Sequence, residues 1–239
     1  MTPSLEALLR NLIDYAGLYP PAALPLARVA ENYRAYLASP ESWILNRLVL
    51  PAVKLSEAPV EENWRVTLLV DEEPGPLPPQ VETLETKVPR RLSLPTYREA
   101  PLDRIAQSFA KVRLGGAAPD AVPPSTHVAG FLCEAAARRL PFKATAGLHH
   151  PIRTAMHGFV NVFVAASFAW HGMEREDITA VLDERDPRGF EFGGDGLRWR
   201  GRSLSSLQID SARREFAHSF GSCSFEEPLA DLRELGWLP

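Results

Sequence analysis

The chain has 239 residues, of which 45% are hydrophobic and 23% are charged, and its formal net charge is −4. This composition is typical of a globular α/β protein, and the acidic balance argues against nucleic acid and anionic membrane surfaces as partners. The two cysteines, Cys133 and Cys223, are too few for a disulfide framework and favour a cytoplasmic location. The longest apolar stretch, residues 159–170, is too short to span a bilayer.

Amphipathic helices are predicted near the start of the chain. Leu5 and Leu8 belong to an apolar stripe at helical spacing, which predicts a helix over residues 4–15. A similar stripe predicts a second helix over residues 26–37, and residues 41–47 are predicted to form a short third helix.

Six short strands are predicted in the middle of the chain, where apolar and polar residues alternate. They cover residues 47–53, 64–70, 83–88, 94–99, 110–114 and 142–146. Beyond them the patterns predict helices over residues 154–171, 174–184, 204–216 and 226–235, a β-hairpin over residues 190–199, and a final strand within residues 217–225. We therefore expect a single domain over residues 1–239, composed of N-terminal helices (1–46), a strand-rich half (47–146) and a helical half (147–239).

Several predicted strands have one polar face. Lys111 and Arg113 alternate with apolar residues in one strand, and Lys143 and Thr145 do so in the next. Strands of an open doubly wound sheet are apolar on both faces, whereas a barrel directs alternate residues into its interior. We therefore predict an irregular (β/α)₈, TIM-barrel-like fold, with an open α/β sheet as the alternative. The links between the second, third and fourth strands are so short that their helices are shortened or some pairing is antiparallel.

A candidate site is predicted at the end of the strand over residues 142–146, because Lys143 lies inside this strand and burial of an ammonium group is costly unless it is paired. A structural ion pair with Glu85 or Glu99 would explain it, and so would a catalytic role. The carboxyl ends of parallel strands share one edge, so Gly115 and the residues that follow Lys143 are expected to meet there. The predicted catalytic residues are Lys143, Glu85, Glu99 and His149, and the predicted substrate-binding residues are Lys111, Arg113, Thr145, Gly147, His150 and Arg153.

The excess of positive charge in this set predicts a small anionic metabolite, a carboxylate or a phosphate ester. In one mechanism, neighbouring cations lower the pKa of Lys143, which forms a Schiff base with a carbonyl substrate without a cofactor. In a second, Glu85 and Glu99 hold a divalent metal such as Mg²⁺ and a lysine is the general base, as in enolase-like barrels. In a third, the protein binds a metabolite and catalyses nothing. A homo-oligomer is compatible with each of these alternatives.

The segment Phe142-Lys143-Ala144-Thr145-Ala146-Gly147 is similar to the sixth-strand motif of class I aldolases of the deoxyribose-phosphate aldolase type. The resemblance implies a lyase with its Schiff base on Lys143. Those enzymes carry a second lysine on the following strand, in a Lys-Ala-Ser-Gly-Gly-like motif. No such motif follows Lys143, so Lys111 on the preceding strand would have to take this role. The segments 143–151 and 217–228 together also resemble a bacterial protein family of no known activity.

Overall fold

Eight parallel strands close into a barrel in the computed structural model, which describes residues 1–88, 92–106, 108–116 and 121–239. The strands of the chain are β1 (Ile13–Tyr15), β2 (Leu45–Pro51), β3 (Val66–Leu69), β4 (Val81–Thr86), β5 (Thr96–Arg98), β6 (Phe109–Arg113), β7 (Phe142–Thr145), β8 (Glu191–Phe192), β9 (Gly196–Trp199), β10 (Arg202–Ser205) and β11 (Ala217–Ser222). The barrel order is β1-β11-β7-β6-β5-β4-β3-β2, and β8–β10 form a separate antiparallel sheet. The predicted irregular TIM-barrel-like fold is confirmed, and the open-sheet alternative is wrong.

Helices cover only part of the barrel. They are α1 (Pro3–Leu9), α2 (Leu26–Leu37), α3 (Ser125–Ala137), α4 (Phe159–Trp170), α5 (Arg175–Leu182), α6 (Ser206–Glu215) and α7 (Glu226–Glu234). Between β2 and β6 the only helical segments among the described residues are short 3₁₀ turns, and loop side chains such as Val60 and Leu77 pack on the core instead. Of the predicted short links, residues 89–91 lie outside the described part of the chain. The shortened helices are thus confirmed, and antiparallel pairing in the barrel is wrong.

The alternation of side chains along β7 positions the candidate site. Phe142 points outward, where its ring lies 5.4 Å from that of Phe131 on α3 and 6.3 Å from that of Phe163 on α4. Aromatic contacts of this kind each contribute about 0.5–1.5 kcal/mol beyond the area that they bury. Because successive side chains of a strand point to opposite faces, fixing Phe142 under the helices directs Lys143 into the barrel.

The end of the first helix was predicted wrongly. α1 ends at Leu9, and Asn11 has a left-handed backbone with φ of 49°, which asparagine tolerates better than most residues. The next residues, Ile13–Tyr15, form β1, which pairs with β2 and β11 and closes the barrel. The predicted helix over residues 41–47 is also wrong, because turns lead directly into β2. Periodicity could not reveal β1, since its partners are distant in the chain.

The other predicted elements are present with shifted bounds. The helix over residues 26–37 is confirmed as α2, whereas the helix predicted over residues 154–171 begins only at Phe159. The predicted hairpin corresponds to β8 and β9, to which β10 adds a third strand, and the predicted final strand is β11. None of the helices among the described residues combines the length and apolar character needed to cross a membrane.

Candidate functional site

A cavity of about 520 Å³ lies at the carboxyl ends of the barrel strands. Its walls come from the last residues of the strands and from the loops that follow them. They include Ala16, Tyr19, Val49, Leu69, Glu85, Lys111, Arg113, Lys143, Thr145, Gly147, His149, Gly221 and Ser222. Parallel barrels build their active sites at this end, because the loops there can vary without disturbing the packing of the strands. The cavity is therefore the candidate site.

Lys143 is the most deeply buried of the three cations in the cavity wall. Its side chain is 1% exposed, compared with 10% for Lys111 and 46% for Arg113. Its Nζ donates hydrogen bonds to Asp14 Oδ2, at 2.5 Å, and to Glu85 Oε1. An ammonium group has three N–H donors, so these two carboxylates leave one donor for another partner. Lys143 therefore lies inside an ion-pair network and still borders the cavity.

Asp14, on β1, is held by four donors. Its Oδ2 accepts from Lys143 and from Ser219 Oγ at 2.7 Å, and its Oδ1 accepts from Asn46 Nδ2 at 2.7 Å and from the backbone N–H of Arg47 at 3.2 Å. Burial alone would raise the pKa of Asp14, but Lys143 and the other donors more than offset this, so the pKa lies below its usual range. Asp14 is therefore a fixed anion at the centre of the barrel.

Glu85, on β4, joins the two lysines. Its Oε1 accepts from Lys143, and its Oε2 accepts from Lys111 Nζ at 2.5 Å. Lys111 and Lys143 are direct neighbours in the register of β6 and β7, which brings both ammonium groups to one carboxylate. Burial would raise the pKa of Glu85, but the two lysines hold it below the usual value.

Charges of opposite sign alternate from the barrel interior to its rim. After Glu85 and Lys111 comes Glu99, whose Oε2 lies 3.9 Å from Lys111 Nζ. Arg113 then donates to both oxygens of Glu99, at 3.0 and 3.3 Å. Lys111 thus lies between Glu85 and Glu99, and the exposed end of the series is a guanidinium group. Both Lys111 and Arg113 line the cavity, where ammonium and guanidinium groups can bind an anionic ligand.

The expected direction of the Lys143 pKa is wrong. Neighbouring cations were expected to lower it, and burial acts in the same direction, but the contacts with Asp14 and Glu85 outweigh both and raise the pKa above its usual value. Lys111 and Arg113 are themselves paired with Glu85 and Glu99. Lys143 is therefore a protonated ammonium group in the ligand-free protein.

Two glycines allow the ends of β6 and β7 to touch. A Cβ on Gly147 would lie 2.7 Å from Gly115 Cα and from Leu114 O, and a Cβ on Gly115 would lie 2.6 Å from Gly147 Cα. Gly147 also has a φ of 74°, and the preceding Ala146 has a φ of 58°. These conformations turn the chain away from the strand directly after Thr145. The predicted meeting of the two glycine segments at one edge is thus seen.

The remaining predicted residues divide into two groups. Thr145, Gly147 and His149 line the cavity, where His149 Nδ1 lies 3.3 Å from Glu227 Oε2. His150 and Arg153 do not line it. His150 Nδ1 lies 2.6 Å from Asp231 Oδ2 on α7, and Arg153 Nε lies 3.1 Å from Asp183 Oδ1. Their contacts with Asp231 and Asp183 direct these two side chains to α7 and to the end of α5 rather than to the cavity.

Sequence reasoning missed Asp14, Ser219, Asn46 and Tyr19. Asp14 had been assigned to the first helix, so its position beside Lys143 was not visible. The available signal was an acidic residue within the apolar run of residues 12–15, which is unusual for a buried segment unless a cation lies opposite.

Glu85 and Glu99 do not fit the divalent metal that the second predicted mechanism requires. Glu85 and Glu99 are separated by Lys111, and their oxygens already bind cationic side chains. Among the described residues there is no group of three or more His, Cys, Asp or Glu side chains arranged to hold a metal ion. A hard divalent cation requires several oxygen ligands, which two carboxylates already neutralised by lysine and arginine do not supply.

Tyr97 and His218 lie towards the amino-terminal end of the barrel strands, where they line a second cavity of about 430 Å³. The Tyr97 ring lies 5.6 Å from Lys143 Nζ, and its hydroxyl is 2.7 Å from His218 Nδ1. Burial lowers the pKa of His218 to about 4, so the imidazole is neutral near pH 7. The Tyr97 ring therefore lies close to Lys143 and also borders the second cavity.

Comparisons of the chain with protein-family models, with curated proteins and with solved structures found no match. Its function is therefore inferred from the fold, which is common among enzymes, and from the geometry around Lys143.

Proposed function

We propose that the protein is an enzyme that forms a Schiff base between Lys143 and a small anionic carbonyl compound, as aldolase-like lyases do. The observation that carries this proposal is the placement of Lys143 between two carboxylates, in a cavity at the carboxyl end of a parallel barrel. An iminium ion has the same positive charge as the ammonium group that it replaces. Asp14 and Glu85 would thus stabilise the intermediate without any rearrangement of charge.

Lys143 must lose a proton before its nitrogen can attack a carbonyl carbon. Glu85 is the candidate acceptor of this proton. It hydrogen-bonds both Lys143 and Lys111, so a ligand that contacts Lys111 also changes the basicity of Glu85. An anionic ligand that draws Lys111 away leaves Glu85 a stronger base for the Lys143 proton. In this way ligand binding itself would activate the lysine, whose pKa is otherwise too high for nucleophilic attack.

The subsequent step balances without a cofactor. Lys143 Nζ adds to the carbonyl carbon, and the carbonyl oxygen leaves as water with one proton from Nζ and one from Glu85. A positively charged imine with one N–H remains. The neighbouring positions are small, namely Thr145, Gly147 and Gly221, so a short substrate could approach Nζ. Arg113 and Lys111 supply donors for its carboxylate or phosphate group, and His149 also lines the cavity.

Borohydride trapping tests this proposal. The protein is incubated with pyruvate, dihydroxyacetone phosphate or, as an uncharged comparison, acetone, then reduced and mapped by peptide mass spectrometry. We expect an adduct on the peptide that contains Lys143 with an anionic probe, much less with acetone, and none in Lys143→Met. Lys54→Met, which removes an exposed lysine paired with Glu57, is the matched control and should react like wild type. An adduct on Lys111 instead, or none with any probe, contradicts the proposal.

The pairing of Lys143 with Asp14 and Glu85 favours a second candidate, a metabolite-binding protein without catalysis. In that case Lys143 is a structural cation, and Arg113 and Lys111 alone hold the anionic ligand. Calorimetric binding of an anionic probe without borohydride trapping would identify this function.

A further inference from the structure

The loop between β1 and α2 carries Tyr19 over the cavity. Backbone hydrogen bonds fix this loop. Tyr19 N–H donates to Ala16 O at 2.9 Å, Ala23 N–H donates to Tyr19 O at 3.0 Å, and Leu24 N–H donates to Gly17 O at 2.9 Å. The Ala16 N–H in turn donates to Ser222 O at 2.6 Å, which ties the start of the loop to the end of β11. The position of Tyr19 is therefore set by the barrel and by the loop's own turns.

The Tyr19 hydroxyl is buried and has no hydrogen-bond partner among the described residues. The other buried polar atoms in that condition belong to Thr2, Trp64 and Arg98, and none of these residues lines the cavity. An unsatisfied buried hydroxyl lowers stability, and proteins seldom retain one without a reason. A structural hydroxyl would be expected to resemble that of Tyr33, which donates to backbone oxygens of Asn46 and Arg65.

Tyr19 lines the same cavity as Glu85 and Lys143. Burial raises the pKa of the phenol, and the negative charge of Glu85 adds to the rise, while Lys143 acts in the opposite direction. The phenol therefore stays protonated at neutral pH. A protonated phenol beside a carbonyl-binding lysine can donate a hydrogen bond to the carbonyl oxygen.

We propose that the Tyr19 hydroxyl binds the ligand's carbonyl oxygen, polarising the carbon that Lys143 attacks. This inference rests on the proposed function and adds to it a second group that binds the reacting carbonyl. The ligand class follows: a short molecule with a carbonyl oxygen at one end and an anionic group at the other.

Tyr19→Phe tests this inference, with Tyr33→Phe as the matched control. In the ligand-free protein, Tyr33→Phe should lower the melting temperature because its partners lose their donor, whereas Tyr19→Phe should leave it unchanged or raise it. With pyruvate or dihydroxyacetone phosphate, Tyr19→Phe should reduce the rate of borohydride trapping by about tenfold to a hundredfold. Binding affinity for the same probe, measured by calorimetry, should fall as well.

The role of Tyr19 and the Schiff base on Lys143 can fail separately in these experiments. Unchanged trapping and affinity in Tyr19→Phe overturn the role of Tyr19 while the Schiff base stands. Binding of a probe by wild type without trapping removes the Schiff base, and weaker binding by Tyr19→Phe then still supports a ligand-binding hydroxyl. A destabilised Tyr19→Phe, or a wild type that binds neither probe, overturns the inference.

Discussion

Lys143 Nζ and Asp14 Oδ2 form a buried hydrogen bond of 2.5 Å that joins the seventh barrel strand to the first across 129 positions of sequence. Both side chains are 1% exposed. β1 has only three residues, so few backbone hydrogen bonds hold it between β2 and β11. The ion pair therefore links the closure of the barrel to the same residue that borders the cavity, and mutations there will affect stability as well as chemistry.

Lys143→Met is expected to destabilise the protein by about 3–5 kcal/mol, because it leaves Asp14 and Glu85 buried without their shared cation. Urea unfolding followed by circular dichroism measures this change. Adding Asp14→Asn to the same chain should recover part of the loss, since one uncompensated charge is then removed. Lys54→Met, at a surface pair that is 43% and 55% exposed, should change stability by less than about 1 kcal/mol. A Lys143→Met variant as stable as wild type would show that the ion pair contributes little.

The ion pairs of Lys143 with Asp14 and Glu85 predict that the free energy of unfolding falls as the pH is lowered into the acid range. The folded pKa values of Asp14 and Glu85 lie below their usual values of 3.8 and 4.5, so their contribution is present above those values and is lost as pH falls through the folded pKa. The pKa of Lys143 is raised above 10.5, so its contribution is present below that value and is lost only as pH rises past the folded pKa. We expect a plateau of stability between these limits.

Lys143→Met should alter this acid-side dependence in a defined direction. Without the lysine, burial of the carboxylates is offset less, so their pKa values rise relative to wild type. The stability difference between wild type and Lys143→Met should therefore shrink as pH falls below about 4.5, the range in which carboxylates titrate. Unfolding free energies measured from about pH 6 to about pH 3 test this. A constant or growing difference would contradict the assigned pKa directions.

The fold and the edge that carries the site could be predicted from sequence because both depend on local patterns. Lys111 and Arg113 alternate with apolar residues, as Lys143 and Thr145 do, and glycines follow both strands. Asp14 could not be placed, since β1 is defined by pairing with distant strands rather than by its own three residues. The direction of the Lys143 pKa then followed from an incomplete set of neighbours. The Schiff-base mechanism considered only the effect of Lys111 and Arg113 and expected the pKa of Lys143 to fall, whereas Asp14 and Glu85 together raise it.

Arg213 on α6 is expected to be as important for stability as Lys143. Its buried guanidinium donates to Leu8 O at 2.8 Å and Arg10 O at 2.9 Å, at the end of α1, and to Ala217 O and His218 O on β11. Arg213→Met should cost at least about 3 kcal/mol, because several buried carbonyl groups lose their donor. Arg214→Met, next to it but 68% exposed and paired with Asp210, should stay within about 0.5 kcal/mol of wild type in urea unfolding. Equal losses in the two variants would sink this assignment.

Gly115 and Gly147 lie at the edge of the site, and Gly172 follows α4. Alanine variants of these three glycines separate the stability cost of a left-handed backbone from the cost of a close contact. Gly172 has a φ of 85° with open space around its Cα, so Gly172→Ala measures the left-handed conformation alone, about 1–2 kcal/mol. Gly115 has no such φ, but a Cβ there would lie 2.6 Å from Gly147 Cα, so Gly115→Ala measures the contact alone, about 1–3 kcal/mol. Gly147 combines both conditions. Gly147→Ala should therefore be the least stable of the three in urea unfolding, with a loss near the sum of the other two. A loss no larger than that of Gly172→Ala would mean that β6 and β7 can separate at little cost, and that their contact does not fix the position of Lys143.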